Sequence, residues 1–115
     1  MSTQFSTYQK PAQERIVNAI INGANDHLAN NQIGEKHLGL SSFYWIHMDC
    51  TDPLTKAVTA KLAKTTTRIF NNYRGSKKAW YLCSQNDSRV IASFERAVAW
   101  LEQQGVKCYL CSEYD

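Results

Sequence analysis

Apolar positions along the chain follow two different spacings, and the switches between them divide it into elements. Ile16, Val17, Ile20, Ile21, Ala24 and Leu28 recur with the period of one helix face. Pro11 suits the first turn of that helix, where its missing N–H costs nothing. Gly23 falls inside it and costs about 1 kcal/mol against Ala, unless another element approaches closely there. Asn30, Asn31 and Gly34 end it. Residues 43–49, Phe-Tyr-Trp-Ile-His-Met-Asp, are aromatic-rich and apolar on both parities, the pattern of a strand covered on both faces. Thr51 or Asp52 can then cap a second helix, with Pro53 at its first position. Leu54, Val58, Leu62, Ile69 and Tyr73 form one stripe of it, and Gly75 is its stop, so the spacing predicts a helix over 53–74.

Residues 79–83 are a short apolar run without helical period. After a polar break, Val90, Ile91, Phe94, Ala97, Val98 and Leu101 share one face of a third helix over 89–104. Asp87 or Ser88 is its cap and Gly105 its stop. Residues 106–111 read as a last strand and 112–115 as a polar tail. Residues 1–9 read as a flexible arm and 33–42 as a loop, which leaves one domain over 10–115. The order α-β-α-β-α-β, with a helix in each connection, predicts a small α/β sandwich of two or three layers. Its sheet should be short, three-stranded and mostly parallel.

Composition narrows the class. A chain of 115 residues has room for one core, and its 43% hydrophobic and 20% charged residues are ordinary for a soluble globular domain. No apolar run is long enough to span a membrane, and the first residues lack the apolar core of a signal peptide. A cytoplasmic setting follows as the expectation, with Cys50, Cys83, Cys108 and Cys111 reduced. Cys108 and Cys111 form a C-x-x-C, but residues three apart in a strand point to opposite faces, and no second pair or histidine motif accompanies them. Neither metal nor cofactor is expected. Small size without a motif is also the look of accessory proteins of phages and mobile elements.

Charge supplies the most distinctive feature. Net charge is only +3. Yet Lys56, Lys61, Lys64, Arg68, Arg74, Lys77 and Lys78 follow one another with no intervening acid, whereas an ordinary solvated helix mixes signs. On the predicted second helix, the first five of these lie opposite the apolar stripe. Such a face suits phosphates or an acidic protein. A second candidate surface is Trp100 with Arg89 and Arg96, off the apolar stripe of the third helix and of interface composition. A third possibility follows from a parallel sheet, whose strand ends would gather Asp49, Asp52, Ser84 and Asp87 at one edge. The caps Asp52 and Asp87 have a simpler structural role there, and no glycine-rich phosphate loop is present. His47 and Asp49 share a face of their strand and could form an imidazole–carboxylate pair, but nothing in the spacing selects a nucleophile.

The sequence therefore points to a non-enzymatic binding module contacting a protein or nucleic acid through a basic helix face. The alternative is a small enzyme or ligand binder at the strand ends. A three-stranded sheet has two open edges, so a homodimer is a further expectation.

Overall fold

The computed structural model describes residues 2–29, 42–83 and 88–114. The elements run α1 (Ser2–Phe5), α2 (Lys10–Ala29), β1 (Ser42–Met48), α3 (Pro53–Thr65), β2 (Ile69–Tyr73), β3 (Ser76–Cys83), α4 (Ser88–Gln103) and β4 (Cys108–Tyr114). The four strands form one sheet in the order β2-β3-β1-β4, and every neighbouring pair is antiparallel. This corrects the expectation of a short, mostly parallel three-stranded sheet. The element expected as one helix over 53–74 is in fact α3 followed by β2. The helix stops at Thr65, in a run of three β-branched threonines that disfavour it. Its C-cap is Thr66, whose N–H donates to the Leu62 carbonyl.

The extra strand reverses the direction of everything after it. β2 returns into β3 through the two-residue turn Arg74-Gly75, in which φ is 47° and 90°. Positive φ at both central positions defines the hairpin turn whose twist matches that of the flanking strands. β3 then lies beside β1 and antiparallel to it. β3 and β4 are parallel to each other but stand apart, because β1 is inserted between them. The result is the ferredoxin-like split βαβ arrangement, preceded here by α1 and α2.

All the helices lie on one face of this sheet. Tyr44, Ile46 and Met48 of β1, with Trp80 and Leu82 of β3, share a core with Leu54, Val58 and Leu62 of α3 and Val90, Phe94, Val98 and Leu101 of α4. α2 packs on α4 and α3 and adds Val17, Ile20, Ile21 and Ala24. α1 brings Phe5, so the segment read as an arm contributes a buried ring. Asp52 caps α3, its Oδ2 accepting from the N–H and hydroxyl of Thr55 at 3.0 and 2.9 Å. The Thr55 hydroxyl in turn accepts the Lys107 N–H at 2.7 Å, tying the start of α3 to the approach of β4. Gly105, at φ 93°, ends α4 where expected. Of the loop read over 33–42, residues 33–41 lie outside the described residues, and Ser42 is the first residue of β1.

Cys50, Cys108 and Cys111 are free. The two thiols of the C-x-x-C diverge as strand alternation requires: Cys108 packs against the helix-side core, while Cys111 pairs with Trp45 on the other face. Burial pushes the Cys108 thiol up to about 12, and the nearby Glu102 carboxylate adds to it. Burial also raises Cys111. Only the thiolate is nucleophilic, so Cys108 should alkylate far more slowly in the native protein than after unfolding at the same pH. Mass spectrometry after iodoacetamide treatment without reductant should show four labels once the chain is unfolded, with Cys108 among the last modified under native conditions.

Candidate binding face of the sheet

The face of the sheet turned away from the helices is built mostly of rings. Alternation along β1 sends Tyr44, Ile46 and Met48 to the helix side and leaves Phe43, Trp45 and His47 for the other. Register then sets their neighbours. Phe70 lies opposite Ala79, Ala79 opposite His47, and His47 opposite Tyr109, so one row crosses all four strands. The next row holds Tyr81, Trp45 and Cys111, and beyond it Phe43 faces Glu113. Trp45 and Ala79 are buried, yet neither belongs to the core shared with the helices. Phe70 and Tyr109, at the two ends of the crossing row, are exposed at 40% and 57%.

The β2–β3 hairpin covers the middle of this face by folding back on it. Ala79 is opposite His47, so register alone would carry the Arg74-Gly75 turn past the Met48 end of β1. The contacts place it at the other end. The Arg74 guanidinium lies 4.0 Å from the Phe43 ring centroid and donates to Glu113 Oε1 at 2.6 Å. Ser76 Oγ accepts from Trp45 Nε1 at 3.0 Å, and the Tyr73 ring meets Trp45 edge-on at 5.2 Å. Asn72, at φ 53°, interrupts the alternation of β2, so Tyr73 stacks on Phe70 at 5.5 Å although the two are three residues apart. Tyr81 completes the cluster, 6.0 Å from both.

Cations lie over these rings. Arg68 stands 5.9 Å above Tyr81 and donates to the Leu82 carbonyl at 2.6 Å. Arg74 bridges Phe43 and Tyr73, and its hydrogen bond to the Tyr73 hydroxyl is the leading cause of a guanidinium pKa above the ordinary value. The predicted basic helix face is thus divided. Lys56, Lys61 and Lys64 remain on α3, with Lys61 3.7 Å from Glu14. Arg68 and Arg74 belong to the hairpin and its aromatic face. Lys77 is exposed on β3, and Lys78 bonds to Asn71.

The other candidate residues fall differently. Trp100 is half-buried against α2, where its indole N–H donates to the Ile20 carbonyl at 2.9 Å; Arg89 and Arg96 are exposed on α4. Gly23 is the reason α2 can come so close, since a methyl group built there would overlap the Trp100 ring. The common edge of strand ends does not form. β3 runs against β1, so its Cys83 end lies beside Tyr44, at the far end of the sheet from Asp49. Asp52 is taken up by its cap, and Ser84 and Asp87 lie outside the described residues. Asp49 accepts both the N–H and the hydroxyl of Thr51, which hold its carboxyl below the usual carboxylate range. His47 stacks on Tyr109 at 4.6 Å, and its Nδ1 is buried with no hydrogen-bond partner among the described residues. No group of three His, Cys, Asp or Glu among the described residues is placed to hold a metal ion, and no described helix is long and apolar enough to cross a membrane.

The aromatic face was not foreseen. Its signal is present in the alternation of Phe43, Trp45 and His47, but the partner rings are recognisable only once β2 is known to be a strand. No protein-family model, curated protein or solved structure matches the chain.

Proposed function

We propose that the chain is a non-enzymatic binding module that holds single-stranded nucleic acid on the helix-free face of its sheet. The observation that carries this reading is the pair of exposed rings, Phe70 and Tyr109, at the two ends of the row that crosses the sheet, the latter stacked on His47, with Arg68 and Arg74 over neighbouring rings. Every base has a π-face, so exposed rings bind a single strand with little regard to sequence, and stacking contributes about 1–3 kcal/mol per base. Arginine serves the same surface twice, stacking on rings and meeting phosphates. Bases inside a duplex are already stacked and paired, so rings on a sheet do not reach them. Fold alone does not argue for this function, since the same topology hosts many others.

The test is fluorescence anisotropy with a labelled single-stranded oligonucleotide of mixed sequence, alone and against its duplex. Single strand should bind and duplex compete poorly. Phe70→Ala and Tyr109→Ala remove exposed rings, so they should leave folding intact and each weaken binding roughly tenfold. Affinity should fall with salt at a log–log slope of about −0.7 per phosphate contact. Equal binding of duplex, or unchanged affinity in both variants, would count against the reading. A homodimer dispersed by Phe70→Ala would reassign the face to a second copy of the chain.

A further inference from the structure

A cavity of about 390 Å³ opens beside the exposed ring of Tyr109, between the end of β1, the start of β4 and the end of α4. Its size is at the lower end of small-ligand pockets. Tyr109 and His47 form its aromatic wall, already stacked on each other at an interplanar angle of 18°. Asp49, Glu102 and Lys107 supply its polar groups. Gly105 brings the chain round in its left-handed conformation and lines the cavity.

We infer that this cavity takes one base of the bound strand, and that it selects a base carrying an exocyclic amino group, cytosine rather than thymine. The inference rests on the proposed binding of single strands to the face, which the cavity adjoins through Tyr109 and His47. A flat ring against Tyr109 extends the existing stack. Its hydrogen-bonding edge then meets carboxylates, which only accept, and an ammonium, which only donates. The cytosine N4 amino group donates to a carboxylate, while O2 or N3 can accept from Lys107. That amino group carries two N–H, one for each carboxylate; thymine presents O4 in its place and keeps only the single N3–H, so one carboxylate can be served while the other faces O4, acceptor against acceptor. Asp49 is suited to this because the Thr51 hydrogen bonds keep it ionised. The pair also separates the two ends of the face: arginines for phosphates near Phe43 and Tyr81, carboxylates for a base edge beyond Tyr109.

The experiment measures binding of labelled oligo-dC and oligo-dT to the wild type, to Glu102→Gln, and to Asp49→Asn combined with Glu102→Gln. The wild type should prefer oligo-dC by roughly tenfold or more. An amide can donate to thymine O4, so both variants should narrow the preference mainly by gaining affinity for oligo-dT. Asp49→Asn keeps the oxygen that Thr51 uses, and Glu102 is exposed, so a melting curve should show both proteins folded. If the double variant melts early, Glu102→Gln alone carries the test. Equal affinity of the wild type for the two strands, or a preference unmoved in the folded variants, overturns the base pocket and leaves the face standing. Absence of binding to either strand removes the face reading itself.

Discussion

Trp45→Ala should destabilise the protein by about 3–5 kcal/mol, measured as a fall in the urea midpoint at unchanged slope. The ring is 3% exposed although it lies outside the core shared with the described helices. What seals it is the folded-back hairpin: Tyr73 edge-on, Ser76 on the indole nitrogen, and Tyr81 beside it in the same row. Removing the ring leaves a void under the hairpin and takes away the reason for the bend. Trp45→Phe separates the two contributions. It keeps most of the apolar area and loses the N–H, so about 1 kcal/mol should go with the hydrogen bond to Ser76, plus a smaller packing loss. An alanine variant that loses less than about 1 kcal/mol would mean that the hairpin does not rest on this face, because burial of this ring requires it.

Gly23 and Trp100 should behave as a coupled pair with a change of sign. In the wild type, Gly23→Ala places a methyl inside the Trp100 ring, and the ring has little freedom to yield because its N–H is held by the Ile20 carbonyl. Overpacking of this kind costs about 1–3 kcal/mol. Trp100→Ala alone should cost about 3 kcal/mol or somewhat less, since the ring is only half-buried. In that background the methyl meets open space, and the helix propensity of alanine should make Gly23→Ala stabilising by up to about 1 kcal/mol. Thermal melts of the four proteins give the coupling energy directly. A destabilising Gly23→Ala in both backgrounds would mean that something other than the indole requires glycine.

The parts legible in the sequence are those where one period persists. α4 repeats its apolar face through four turns between a polar break and Gly105, and the spacing picks out Val90, Phe94, Ala97, Val98 and Leu101 among its buried residues; Ser93 is buried as well, and Ile91 only half-buried. α2 is similar, and the condition attached to Gly23 identified the kind of contact it makes. The sheet went astray at one place. Ile69 and Tyr73 are four apart, which fits a helix stripe, and Gly75 fits a helix stop. Both a helix C-terminus and a two-residue hairpin turn need positive φ at such a glycine, so the residue cannot distinguish them. The threonines at 65–67 and the pair Asn71-Asn72 were the opposing signals. Missing one short strand reversed β3, and with it both the parallel sheet and the shared edge of strand ends.

The candidate site was only partly legible for the same reason. Arg68 and Arg74 stood out by charge, but their position depended on the helix that does not extend to them. Trp100 stood out as an aromatic off the stripe of α4, and a second helix rather than solvent turned out to occupy that side. The rings of the open face come from four strands, and register across strands is not written in any local stretch of sequence.

The position of β1 also governs how the molecule assembles. It is an interior strand, second from the β4 edge and third from the β2 edge, and both its partners come later in the chain: His47 meets Ala79, and Ser42 meets Tyr114. Among the described strands, the β2–β3 hairpin is the one pair that closes locally. Loop closure must therefore be met before the sheet's interior pairings return any stability, and such non-local contacts place folding towards the slower end of small domains. Helices α2 and α3 can form early, but the strand carrying Trp45 has an unsatisfied edge until the last strand docks. Chaperone demand and misassociation during folding should centre on that interval, with β1 as the exposed surface.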